Sequence, residues 1–91
     1  MKTPISSNVQ PLYTFQNRSG EFVDVLARAE YQGEQVDVTR TDNPKNLPFC
    51  LSGTRLAARY YATAEAAAEA FDSVRLVTLA AKFGTYEYAK P

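Results

Sequence analysis

The sequence predicts an α+β fold: a small antiparallel sheet of three to five strands with one alanine-rich helix packed on one face. Two alternating apolar and polar runs meet at a short glycine turn, Gln32-Gly33, which is a hairpin signature. The stretch from Ala64 to Ala70 is almost all alanine and glutamate and has very high helix propensity. A chain of 91 residues builds one core and is too short for two.

Residues 1–10 are polar, with Pro4, Ser6, Ser7 and Asn8, and read as a flexible leader to a single domain over 11–91. Leu12 to Gln16 is the first strand candidate, with Tyr13 and Phe15 on one face and Leu12 and Thr14 on the other. Asn17-Arg18-Ser19-Gly20 follows as a turn. From Glu21 to Tyr31, the clearest strand, Val23, Val25, Ala27, Ala29 and Tyr31 share one face. Asp24, Arg28 and Glu30 take the other, with Phe22 and Leu26 among them. After the glycine turn, Val36 and Val38 alternate with Gln35, Asp37 and Thr39 as far as Thr41.

Residues 42–53 break the pattern, because Pro44 and Pro48 remove donors and restrict their neighbours. This segment reads as a long loop. Either it carries function, or Leu47, Phe49 and Leu51 pin it to the core edge. Thr54 to Ala62 alternates again, with Leu56, Ala58 and Tyr60 inward and Arg55, Arg59 and Tyr61 outward. Thr63 suits a helix N-cap, and Ala67, Phe71 and Val74 recur on one helical face. Two endings stay open. The helix runs to Phe83, with Lys82 in its last turn and Gly84 beyond it. Alternatively it stops near Ser73, and Val74 to Leu79 returns as a strand of β-branched character. Tyr86-Glu87-Tyr88 is extended in both. The sheet face of Val23, Val25, Val36 and Val38 is expected to meet Ala67, Phe71 and Val74.

The chain has no histidine, which removes Ser-His and Cys-His nucleophiles and the commonest metal ligand. One cysteine and scattered carboxylates offer no metal-ligand spacing, so neither a metal nor another cofactor is expected. Gly20, Gly33, Gly53 and Gly84 are too far apart for a phosphate-cradling turn. Ten basic side chains balance ten acidic ones, without the excess of a nucleic-acid binder. Cys50 stands alone, so no internal disulfide forms, and a reducing cytoplasm is the simplest compartment. No apolar run approaches a membrane span.

Tyrosine is in excess, six in 91 residues. Tyr60 and Tyr61 are adjacent, so on a strand one of them points away from the core. Tyr86 and Tyr88 share a strand face. Tyrosine is enriched in protein interfaces, and equally it caps core edges with its hydroxyl in water. Glu65, Glu69 and Asp72 form an acidic helical stripe, suited to a basic groove or to plain solvation. These residues, with Arg55 and Arg59, are the partner-binding candidates; no catalytic residue is proposed. The expected function is a non-catalytic module that binds another protein or complex by occluding its surface. Its size class is common among proteins with which phages and mobile elements block host machinery such as CRISPR defence. The alternative is a nucleic-acid-binding sheet face using Arg28, Arg55, Arg59 and Tyr61. An open edge strand could also pair two copies into a homodimer.

Overall fold

The computed structural model describes residues 10–41 and 47–89. These form one antiparallel sheet of six strands with two helices on one of its faces. The strands are β1 (Tyr13–Gln16), β2 (Phe22–Tyr31), β3 (Glu34–Thr41), β4 (Phe49–Gly53), β5 (Leu56–Tyr61) and β6 (Thr85–Tyr88); the helices are α1 (Ala64–Asp72) and α2 (Arg75–Phe83). The order runs β1-β2-β3-β4-β5, and β6 shares with β1 the outer edge of β2. The sheet is thus larger than the three to five strands expected, and the helical segment is split in two. The leader over residues 1–9 lies outside the described residues.

The turns follow local chemistry. Asn17 Oδ1 accepts from the backbone N–H groups of Ser19 and Glu21 and folds the β1–β2 connection. Gln32 and Gly33 both have positive φ, 52° and 79°, as a two-residue hairpin turn that matches strand twist requires.

The ten-residue strand β2 does not keep one phase. Val25 pairs with Thr39 and Ala27 with Val38, so Leu26 is an extra residue with no partner on β3. Directly paired residues share a sheet face. Ala27 and Ala29 therefore point with Val38 and Val36 toward the helices, whereas Val23 and Val25 point with Thr41 and Thr39 to the opposite side. The expected single face of Val23, Val25, Ala27 and Ala29 is corrected by this bulge. Leu26 itself stays on the helix side, buried in the core. Its carbonyl accepts from Ala89 at 2.7 Å and that of Val25 from Leu12 at 2.8 Å, so β1 gives way to β6 at the bulge.

The segment expected as a loop over residues 42–53 contains β4, which pairs with β3 and β5. Phe49 and Leu51 are fully buried, while Leu47 is exposed. Residues 42–46 of that segment lie outside the described residues. A second irregularity shifts β5 against β4 between Leu51/Arg59 and Gly53/Leu56. It inverts the expected phase of β5 beyond Leu56. Tyr61 pairs with Phe49 and Arg59 with Leu51 on the helix side, and Tyr60 pairs with Cys50 on the other.

Thr63 caps α1, its hydroxyl accepting from Ala66 N–H at 3.2 Å. Arg75–Phe83 is helical, so Val74 to Leu79 does not return as a strand. The helix is interrupted at Ser73, whose hydroxyl donates back to the Glu69 carbonyl, and at Val74, whose ψ of 130° is extended. A continuous helix over 64–83 would be about 30 Å long, whereas five strands span about 24 Å. The break lets α1 cover β3, β4 and β5 while α2 covers β2 and β6. The core joins Phe49, Leu51, Val36 and Val38 to Ala67, Phe71, Val77 and Ala80. Alanines on both layers, Ala27, Ala29, Ala67 and Ala80, are completely buried and let the helices sit close. Gly84 turns the chain into β6, where a Cβ would lie 2.3 Å from the Glu30 carbonyl oxygen. Among the described residues no helix is long and apolar enough to cross a membrane.

At the β1 end, Arg40 and Thr14 hold Asp24 at 2.7 Å each. Burial pushes the Asp24 carboxyl up, but hydrogen bonds from Arg40 and Thr14 and the Arg40 charge outweigh it and leave its pKa below the ordinary value. Phe71 is the largest helix side chain without solvent exposure. Phe71→Ala should therefore cost about 3–5 kcal/mol, read as a lower urea midpoint; an unchanged midpoint would take Phe71 out of the core.

Candidate functional site

Both described helices cover one face of the sheet, and among the described residues no helix packs on the other. Register pairs assign its residues. One row crosses β1 to β5: Tyr13, Val25, Thr39, Cys50, Tyr60. Phe15, Val23 and Thr41 form a shorter row beside it. Val25 and Val23 are buried beneath their neighbours, whereas Tyr13 and Phe15 are each 45% exposed and Tyr60 is 58% exposed. The result is an apolar strip whose valines are already covered and whose accessible apolar surface is the aromatic rings at its two ends. Cys50, next to Tyr60 in the row, is free and only half-buried.

On the other side of the long row lies a charged row: Glu87, Arg28, Asp37 and Ser52, with Glu30 next to it. Gln35 Nε2 donates to both oxygens of Asp37, at 3.0 and 2.8 Å, while its Oε1 accepts from Arg28 Nη2 at 3.4 Å. Arg28 also stands 3.9 Å from Glu30. Burial pushes the Asp37 carboxyl above its ordinary pKa, and the Gln35 hydrogen bonds and the Arg28 charge only partly oppose it. Arg28 Nε is buried without a hydrogen-bond partner.

The residues expected to bind a partner are divided by the fold. Tyr60 alone of the four tyrosines lies on the helix-free face. Tyr61 and Tyr88 pack against the core from the helix side. Tyr86 and Tyr88 do share a face, but it is turned toward Phe71, with ring centroids 5.7 and 6.1 Å away. Arg55 is exposed and pairs with Glu34 at 3.4 Å beyond the strand end. Arg59 is exposed on the helix side of the edge strand. Glu65, Glu69 and Asp72 stay exposed on α1.

Tyr86, Tyr88, Asp72 and Glu65 nonetheless come together. The Tyr86 hydroxyl donates to Asp72 Oδ1 at 2.9 Å. Burial, then this hydrogen bond and the Asp72 charge, push the Tyr86 phenol up to about 12. Burial and the charges of Asp72 and Glu65 also raise Tyr88. A shallow groove of about 340 Å³ opens beside them, lined by Asp72, Val77, Thr78, Ala81, Lys82 and Tyr86. It holds a single carboxylate, already engaged by Tyr86. Among the described residues no group of three or more His, Cys, Asp or Glu side chains is placed to hold a metal ion.

Tyr13, Phe15 and the row through Thr39 and Cys50 were missed as site residues. The available signal was the run Val25-Leu26-Ala27, three apolar residues in succession, which breaks strict alternation and marks a phase change. No family model, curated protein or solved structure matches this chain.

The tyrosine cluster gives a pH signature. The folded Tyr86 phenol ionises near 12 and the unfolded one near 10.0, so folding favours the protonated form. Its stabilising contribution is complete below pH 10 and lost as pH rises from about 10 to about 12. Titration of tyrosinate absorbance should show Tyr86 ionising late, with Tyr88 raised as well, and Asp72→Asn should move the Tyr86 phenol back toward 10. A late phenol that persists unmoved would remove Asp72 as a cause.

Proposed function

We propose that this chain is a non-catalytic protein-binding module that occludes a partner's surface with its helix-free sheet face. The observation that carries this reading is the row from Tyr13 through Val25, Thr39 and Cys50 to Tyr60, exposed at both aromatic ends on a face that no helix covers among the described residues. Rigid aromatic side chains bring large contact area at low entropic cost, and such anchors dominate protein interfaces. The strands beneath hold them in fixed positions, so little ordering is left for the moment of binding.

The open edge of β5 offers a second route to a partner, but it carries a bulge and the exposed Arg59, devices that discourage strand addition. The face is the better-suited surface. A nucleic-acid surface made of Arg28, Arg55, Arg59 and Tyr61 gains no support. Arg28 lies on the helix-free face, Arg59 and Tyr61 are on the other, and Arg55 is engaged by Glu34. A small domain of this kind suits the inhibitors that phages and mobile elements direct at host machinery such as CRISPR defence. That is the partner class to test first.

Affinity purification from cell lysate at physiological salt should retain a protein partner on the wild-type chain. The Tyr13→Ala/Tyr60→Ala variant, shown folded by circular dichroism, should lose at least about tenfold of that retention. Retention that is equal in the variant, or no retained protein at all, sinks the reading.

A further inference from the structure

The helix-free face has an unbalanced charge beside its aromatic row. Among the described residues, it carries one cation, Arg28, against the carboxylates of Glu30, Asp37 and Glu87. Arg28 stands directly between Asp37 and Glu87 in the register and 3.9 Å from Glu30. It can neutralise one of the three, so two negative charges remain in excess. They lie close to the apolar strip. Asp37 is two residues along β3 from Thr39, about 7 Å at strand rise.

That distance decides what can cover the strip. A macromolecule seated on the exposed rings of Tyr13 and Tyr60 spans the sheet beside Arg28, Asp37 and Glu87 and strips water from them. A carboxylate desolvated without a counter-charge costs several kcal/mol, more than a well-placed apolar contact returns. An anionic partner would add direct repulsion.

We infer that the partner is a protein surface that sets an apolar ridge beside lysine or arginine side chains, about 7 Å from the ridge, to meet Glu30, Asp37 and Glu87. This inference rests on the proposed binding face and names the chemistry of what binds there. The cationic side chains steer the encounter and complete the charged row. The apolar ridge fills the strip between Tyr13 and Tyr60.

Two synthetic peptides test it, with the same leucine and phenylalanine core, one flanked by lysines and one by glutamates. Each is titrated into isotope-labelled protein and followed by amide shifts. The lysine-flanked peptide should bind at least about tenfold more tightly than its counterpart and shift the amides of Tyr13, Asp37, Tyr60 and Glu87. Its Kd should rise with salt, and Glu30→Gln/Glu87→Gln should weaken it by about tenfold. Equal binding of the two peptides, binding of neither, or shifts confined to Glu65, Glu69 and Asp72 on α1 would overturn the inference. So would a single-stranded oligodeoxynucleotide that shifts the helix-free face. If both peptides bind alike and Tyr13→Ala/Tyr60→Ala abolishes both, the binding face survives and only its charge preference falls. If the aromatic variant binds the lysine-flanked peptide unchanged, the face itself falls.

Discussion

One unpaired residue, Leu26, organises this molecule. A strand of ten residues with strict alternation would place Val23 and Val25 under the helices together with Ala27 and Ala29. The bulge moves the two halves of β2 out of phase. Its C-terminal half feeds alanines into the helix-side core, and its N-terminal half sends valines to the open face. The same irregularity ends pairing with β1 and begins pairing with β6. A one-residue change in register exchanges every side chain between faces. Without the extra residue Val23 and Val25 would turn to the helix side with Ala27 and Ala29.

The helix side shows how a small core is closed. Buried alanines bring both helices close to the sheet, and Phe71 supplies the volume between them. Tyr86 and Tyr88 then close the β6 edge against Phe71, with the Tyr86 hydroxyl anchored to Asp72. Their amphipathic character serves packing there, with the apolar ring inward and the hydroxyl held at the rim. Tyr60, on the opposite face, has no such enclosure. One residue type thus has two uses in a single small sheet, and sheet face separates them.

The helix-free face is modest in area. Five strands by five residues cover about 400 Å² in projection, against the roughly 800 Å² that a stable interface takes from each partner. A partner that binds tightly must therefore reach past the sheet edge, and one that uses the face alone binds weakly. Charge then matters more, since a small interface gains its selectivity from complementary potential.

Local chemistry was readable without coordinates. The Asn17 and Gln32-Gly33 turns, the Thr63 cap, the alternation of β3 and the helical character of Ala64 to Asp72 depend on neighbours within a few residues, and the sequence alone determined them. It also determined the balanced charge and the absence of imidazole. The phase of β2 beyond Val25, the phase of β5 beyond Leu56, the promotion of Phe49–Gly53 from loop to central strand and the break at Ser73 were decided only by tertiary structure. Each depends on which distant strand lies alongside and how wide the sheet becomes. A bulge is a property of a strand pair, so the run Val25-Leu26-Ala27 could announce a phase change but not say which half would face the helices. The aromatic row depends on that choice, because its members come from five strands and meet only when the sheet is assembled.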